Sequence, residues 1–297
     1  MKTLTKLKIN YQLEKKTPTF NIIIVNNKTD KILNSTLLGR SFVDWVSFAC
    51  GNVSHRVVNS EGKVNLLECI KDKIDSKYDY TIVLLANLPL LTQKTIQEII
   101  EYSSVKNVTL CKLPVGYVVK NKDFADKVLV DSVYSGNIDD FYLVVNKKQL
   151  NYAIDVLQER INAFHLSNGV EIKKPKSVYI EPMVDIAEGV IIYPNNSLKG
   201  NSKIGQNVIL KENNVIEETK IGANCCISGS VITKSVVGDN VYISSFCEID
   251  ACLIGAETII DKGCYIKNYN IKPQEKIRAN TTLGDTNDSN SGAGESR

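Results

Sequence analysis

Two histidines, His55 and His165, are the whole imidazole supply of this 297-residue chain. They confine imidazole general-base chemistry to two positions. Eight cysteines are scattered through the chain with no Cys-x-x-Cys pair among them. Neither a zinc site nor a disulfide framework is therefore indicated. A formal net charge of +3, evenly spread, is too small to suggest a nucleic-acid binder. No run is long and apolar enough to cross a membrane, and the opening MKTLTKLKIN lacks a signal-peptide core. A cytoplasmic protein with reduced thiols is the expectation.

The elements that would position any site fall into two kinds. In the second half an aliphatic residue returns from Ile180 at Ile186, Ile192, Leu198, Ile204, Leu210 and Ile216, always six apart. It continues at Ile221, Ile227, Ile232, Val237, Ile243, Ile249, Ile254, Ile260 and Ile266 in steps of five or six. Neither a helical period of 3.6 nor a strand period of 2 produces that register. Two residues before each aliphatic stands a small or β-branched residue, among them Cys225, Cys247, Cys252 and Cys264. A thiol there packs as a small hydrophobe; Cys226 falls outside the column and has no role in the pattern. Glycine directly follows the aliphatic at Gly205, Gly222, Gly238 and Gly255, which reads as tight turning. This is the hexapeptide pattern of a parallel β-helix, and it resembles the left-handed, triangular kind. Tyr269 breaks the small column, so the regular pattern is expected to end near Lys267, within a β-helix domain over 175–271. A tail follows over 272–297, polar and disordered from Gly284.

The first half reads as a small α/β domain over 1–146. FNIIIV (20–25) and YTIVLLA (80–86) are short, apolar and β-branched, as buried parallel strands are. SFVDWVSFAC and VNLLECIKDKI have helical spacing, and Thr92 is placed to cap a third helix. The alternation predicts a doubly wound sheet. A linking segment over 147–174 holds a long helix, about Lys147 to Leu166, with Leu150, Ile154, Leu157 and Ile161 along one face.

The join VVNKKQLNYAIDVLQERINAFHLSNGVEI and the coils VIEETKIGANCCISGSVITKSVVGDNVYISSF carry a resemblance. They are similar to the bifunctional N-acetylglucosamine-1-phosphate uridylyltransferase and glucosamine-1-phosphate acetyltransferase family. The resemblance implies UDP-N-acetylglucosamine metabolism, a homotrimer through the β-helix, and magnesium if the chain is catalytic. It also implies where the sites should lie. The family's phosphate loop Gly-x-Gly-Thr-Arg is replaced by Asn26-Asn27-Lys28-Thr29-Asp30, without glycine. Asp30-Lys31-Ile32-Leu33-Asn34 resembles the family's Pro-Lys-Val-Leu-His, making Lys31 the retained lysine. Leu38-Gly39-Arg40 resembles its Ala-Gly-Lys. Where the family reads Gly-Asp-Val-Pro-Leu-Leu, this chain reads Ala86-Asn87-Leu88-Pro89-Leu90-Leu91. That exchange removes the charge magnesium demands, and Asn146 would be its partner asparagine. The family's uridine-reading Gln-Leu-Gly-Thr is not discernible between Val57 and Ile70.

For acetyl transfer the family uses a histidine further along the β-helix, and this chain has none after His165. His165 matches a helix residue without a catalytic role. Cys247-Glu248 stands where the family's sugar-nucleotide arginine would follow Ser-Ser-Phe, whereas Lys267 resembles its phosphate-binding lysine. Three readings follow. The chain is a degenerate, non-catalytic relative binding a nucleotide, sugar phosphate or protein partner. Alternatively, it is an active sugar-1-phosphate nucleotidyltransferase with Lys28 and Lys31 on phosphate and carboxylates such as Asp30 or Asp44 on magnesium. The third reading is a trimeric scaffold. Nucleotide and phosphate contacts would fall to Lys28, Lys31, Asn87 and Asn146, metal contacts to Asn87 and Asn146, and sugar-phosphate contacts to Lys267.

Overall fold

The computed structural model describes residues 17–60, 62–63, 65–124 and 129–284. The chain divides into two compact units, one of Met1–Ser35 with Phe42–Val145, the other of Thr36–Ser41 with Asn146–Arg297.

The first unit is built on β1 (Phe20–Asn26), whose residues through Val25 are all buried. Its side chains alternate between two cores. Ile22 and Ile24 pack with Val46, Ala49, Ile96 and Ile99, so this face lies under α1 (Phe42–Cys50) and α3 (Gln93–Lys106). Ile23 and Val25 pack with Cys69 and Ile70 of α2 (Leu66–Ile70). Cover on both faces is why the strand reads as an unbroken apolar run. The chain also forms β4 (Ser54–Asn59), β5 (Tyr80–Leu85), β6 (Leu110–Lys112), β7 (Tyr117–Lys120) and β8 (Ser132–Val133), in the order β4-β1-β5-β7-β6-β8. The strands β4, β1 and β5 are parallel; β7 runs antiparallel to β5 and β6. The sheet is therefore helix-covered on both faces but mixed in direction. From β1 the chain crosses through α1 to β4 and returns through α2 to β5, on the other side of β1. The carboxyl ends of β1 and β5 thus form a topological switch point, where open α/β sheets bind ligands. The helix expected over VNLLECIKDKI is shorter, ending at Ile70 before a 3-10 turn over Lys71–Lys73.

The short hairpin β2 (Thr36–Leu37) and β3 (Arg40–Ser41) groups with the second unit. There α4 (Lys147–Ser167) leads into the coils. Its Leu150, Ala153 and Leu157 are buried, and Ile161 packs against the β-helix core. Asn162, 2% exposed, donates to the Pro175 and Val178 carbonyls at 2.8 and 3.3 Å. That buried amide fixes the helix on the first coil.

The coils form three parallel sheets of seven, six and seven strands, a left-handed parallel β-helix. Each inward aliphatic pairs with the next coil's: Ile180 with Leu198, Leu198 with Ile216, Ile216 with Ile232. All are buried, so the six-residue period is the spacing between faces of a triangular coil. The coils differ from the sequence expectations in three respects. The β-helix begins with Glu171–Ile172 and continues beyond residue 271 to Thr282–Gly284. Tyr269 does not end it, because the residue is 38% exposed while its carbonyl accepts Leu253 N at 3.3 Å. A backbone ladder tolerates a large side chain that swings outward. The tail expected to be disordered lies, past Gly284, outside the described residues. Third, Gly205, Gly222, Gly238 and Gly255 are not the left-handed residues. Those are Asn207, Asn224, Asn240 and Glu257, with φ of 57, 55, 57 and 61°. The glycines serve close approach instead: a Cβ on Gly205 would meet Gly222 backbone at 2.7 Å.

Candidate functional site

The switch point holds two of the expected segments. The loop after β1 is held by its own groups. Asn27 Oδ1 accepts Thr29 N at 3.3 Å and the Thr29 hydroxyl at 2.8 Å; Asp30 N donates to Asn27 O at 2.9 Å. Asp30 Oδ1 then accepts Ile32 N at 3.2 Å, and Leu33 N donates to Asp30 O at 3.1 Å. A phosphate cradle needs successive amides pointing outward, usually through glycine at positive φ. Here those amides bond inward, and no described residue before Leu38 has positive φ. Lys28 and Lys31 are exposed on this loop without such a cradle beneath them. Asp30 is a capping residue, and Asp44 lies in the first turn of α1.

Asn87, 7% exposed, is committed elsewhere. Its Nδ2 donates to Val144 O at 3.1 Å, and its carbonyl accepts Val144 N at 3.0 Å. The pair clamps the chain just before α4. Asn146 caps α4, its Oδ1 accepting Gln149 N at 3.0 Å. Two neutral amides, one already accepting a helix N–H, do not suit a hard dication. Among the described residues, no group of three His, Cys, Asp or Glu could hold a metal ion. Thr92 caps α3 as expected. No motif in the sequence marks Asp140, a carboxylate 2% exposed that accepts the hydroxyls of Thr92, at 2.8 Å, and Thr95. Its partners lie 48 and 45 residues away, a distance no local pattern bridges.

The other expected residues lie in the second unit. Arg40 contacts the Met183 sulfur. Lys267 Nζ is 3.7 Å from Asp250 Oδ2, and Thr233 donates to Asp250 Oδ1 at 2.8 Å. The three stand on successive rungs, so a phosphate at Lys267 would compete with a carboxylate. His165 is 4% exposed in α4. Burial pushes its pKa below the ordinary 6.5, partly opposed by Asp185. The unfolded chain then binds a proton more readily than the native one. This stabilisation is complete above about pH 6.5 and is lost as pH falls towards the native pKa. Melting midpoints should decline as pH falls below about 6.5, and His165→Gln should flatten that slope. An equal slope in both proteins would exclude His165 as its source.

The inward cysteines are not nucleophiles. Burial pushes the Cys225 thiol up to about 11, and raises Cys247 and Cys252 as well. Each donates to carbonyls of its own coil and the next: Cys252 Sγ reaches Asp250 O at 3.2 Å and Ile266 O at 3.4 Å. Cys226 points outward, between Ile209 and Tyr242 in register. The six-residue register, extended one position past the inward cysteine, carries that placement.

An α/β head joined through one helix to a left-handed β-helix defines the hexapeptide-repeat class. Residues 175–286 match the GMPPB C-terminal domain. The chain is 37% identical over 143 residues to the bifunctional protein GlmU of Clostridium beijerinckii, covering 48% of this chain and 31% of that protein. It is 33% identical over 141 residues to its Streptococcus thermophilus counterpart, covering 48% and 30%. In its C-terminal half the chain is GlmU-like, and the match spans about a third of those relatives' length. Among solved structures, a mutant perosamine N-acetyltransferase from Caulobacter crescentus is 11% identical. That alignment covers 89% of this chain and 93% of that one, with a TM-score of 0.27.

Proposed function

We propose that this chain is a non-catalytic, GlmU-like protein of nucleotide-sugar metabolism, cytosolic and homotrimeric through its β-helix. Its α/β unit binds a nucleotide, sugar phosphate or protein partner without turnover and without a resident magnesium ion. One observation carries this reading: the loop after β1 spends its amides on Asn27 and Asp30. Uridylyltransfer needs those donors on the triphosphate as charge develops. The commitment of Asn87 and Asn146 to Val144 and to the helix cap supports the same conclusion.

The test is a thermal melt with UTP, UDP-N-acetylglucosamine and magnesium, alone and together, beside a pyrophosphate-release assay. A ligand at a hundred times its dissociation constant adds about 2.7 kcal/mol to the folded state. The expected result is no pyrophosphate and no magnesium-dependent shift. A rise with the nucleotide sugar alone would identify the ligand. A magnesium-dependent rise with turnover would overturn the reading, and a monomeric mass in light scattering would overturn the trimer.

A further inference from the structure

A cavity of about 670 Å³ opens between α4 and the 3-10 turn Pro175–Ser177. That volume suits a small organic molecule. All of its lining residues belong to the second unit, so it is independent of the loop after β1. Its walls are set before any ligand arrives. Asn162 Nδ2 ties α4 to the Pro175 carbonyl at 2.8 Å. Gln158, one turn earlier, brackets Ile180: its Oε1 accepts Ile180 N at 3.3 Å and its Nε2 donates to Ile180 O at 3.4 Å. Gln158 Nε2 also donates to Asn162 Oδ1 at 3.0 Å. These amides hold the helix to the start of the coils and form the floor of the cavity. A site fixed in this way loses little conformational freedom when it binds.

Recognition falls to the rim. Asp155, Glu159, Ala163 and Leu166 recur along α4 at intervals of four, four and three, which makes them one stripe of the helix. The stripe is acidic at its start and apolar at its end. Pro175 and Lys176 line the cavity from the turn. Among the described residues, neither carboxylate nor the Lys176 ammonium takes part in a hydrogen bond or ion pair. The rim thus offers two negative charges, one positive charge and an apolar wall of Ala163, Leu166 and Pro175. Its complement carries two positive charges, one negative charge and an aliphatic stem. Free arginine and free lysine have that pattern, whereas a phosphate ester would meet more carboxylate than ammonium. We infer that this cavity binds a free basic amino acid. Its two cationic groups lie on Asp155 and Glu159, its carboxylate on Lys176, and its methylenes against the apolar wall.

The test is calorimetric titration of the full chain with L-arginine and L-lysine, beside L-leucine, L-glutamate, agmatine and Nα-acetyl-L-arginine. The wild type is compared with Glu159→Gln, Lys176→Gln and Ala163→Phe. All three positions are exposed, so each variant should keep the wild-type melting midpoint. Arginine or lysine should bind at a single site, and L-leucine and L-glutamate should not. Glu159→Gln and Lys176→Gln should each weaken binding about tenfold, as loss of a charged hydrogen bond does. Ala163→Phe fills the cavity and should abolish binding. Agmatine lacks the carboxylate and should bind the wild type and Lys176→Gln equally. Absence of arginine and lysine binding to the wild type would overturn the inference, as would binding that survives Ala163→Phe. Nα-acetyl-L-arginine lacks the α-ammonium; if it binds as tightly as arginine, the ligand is a peptide end and the free amino acid is overturned.

Discussion

Gly238→Ala is expected to destabilise the β-helix by about 3 kcal/mol, at the upper end of what overpacking costs. A Cβ at this position would lie 2.7 Å from Ala256 N, 2.9 Å from its Cα and 3.1 Å from Gly255 C. All three are backbone atoms of the next coil, so no side chain can rotate away to make room. Relief requires one coil to move from the next, and Gly238 N donates to Ile254 O at 2.8 Å in the ladder that would stretch. For a unit of this size each kcal/mol moves the midpoint by about 2–4 °C. The informative comparison is Asn240→Ala, two residues on, where φ is 57°. There the substitution forces an ordinary side chain into the left-handed region, at about 1 kcal/mol. If calorimetry ranks Asn240→Ala as the more damaging, the glycine column works through φ and not through close approach.

That contrast shows what the sequence could convey. The aliphatic column encodes position directly, because every coil repeats the same inward slot for Ile or Val. Gly238 was visible as a recurring glycine, but its reason was not, since the colliding atoms belong to residues 17 and 18 positions later. Tyr269 looked like a terminator because the pattern describes side chains, whereas the ladder that continues to Gly284 is made of backbone. The strand β4 has no legible signal: five of its six residues are exposed, and an edge strand without a buried face shows no apolar alternation. At the candidate site the loss of glycine after β1 was legible. The self-capping by Asn27 and Asp30 lies within three residues and was open to an Asx-turn reading. The use of Asn87 was not, because its partner Val144 is 57 residues away.

Asn214→Leu should destabilise the β-helix by about 2 kcal/mol, roughly the cost of orphaning two buried polar groups less the Leu burial. Asn214 has no exposed surface, and its amide is fully used. Nδ2 donates to Asn196 Oδ1 at 2.9 Å, Lys211 O at 2.6 Å and Ile227 O at 3.3 Å. Oδ1 accepts Ser230 N at 3.0 Å. Lys211 O retains Asn196 Nδ2 at 2.9 Å, and Ile227 O retains Lys211 N at 2.8 Å. Ser230 N and Asn196 Oδ1 lose these bonds inside a dry interior. Leucine is close in size, so the loss cannot be assigned to a cavity. Two coils along the same column, Cys247 donates to Asp261 O at 3.3 Å while its own N–H bonds Ser230 Oγ at 3.1 Å. Serine can make the same donation, so Cys247→Ser should change stability little. Urea unfolding with an unchanged slope measures both as shifts in midpoint. Near-equal midpoints for Asn214→Leu and the wild type would mean that the interior is held by its aliphatic slots alone. A large loss confined to Asn214→Leu means that the small column stitches one coil to the next. Asn, Ser, Thr and Cys then recur there because each offers a donor in little volume.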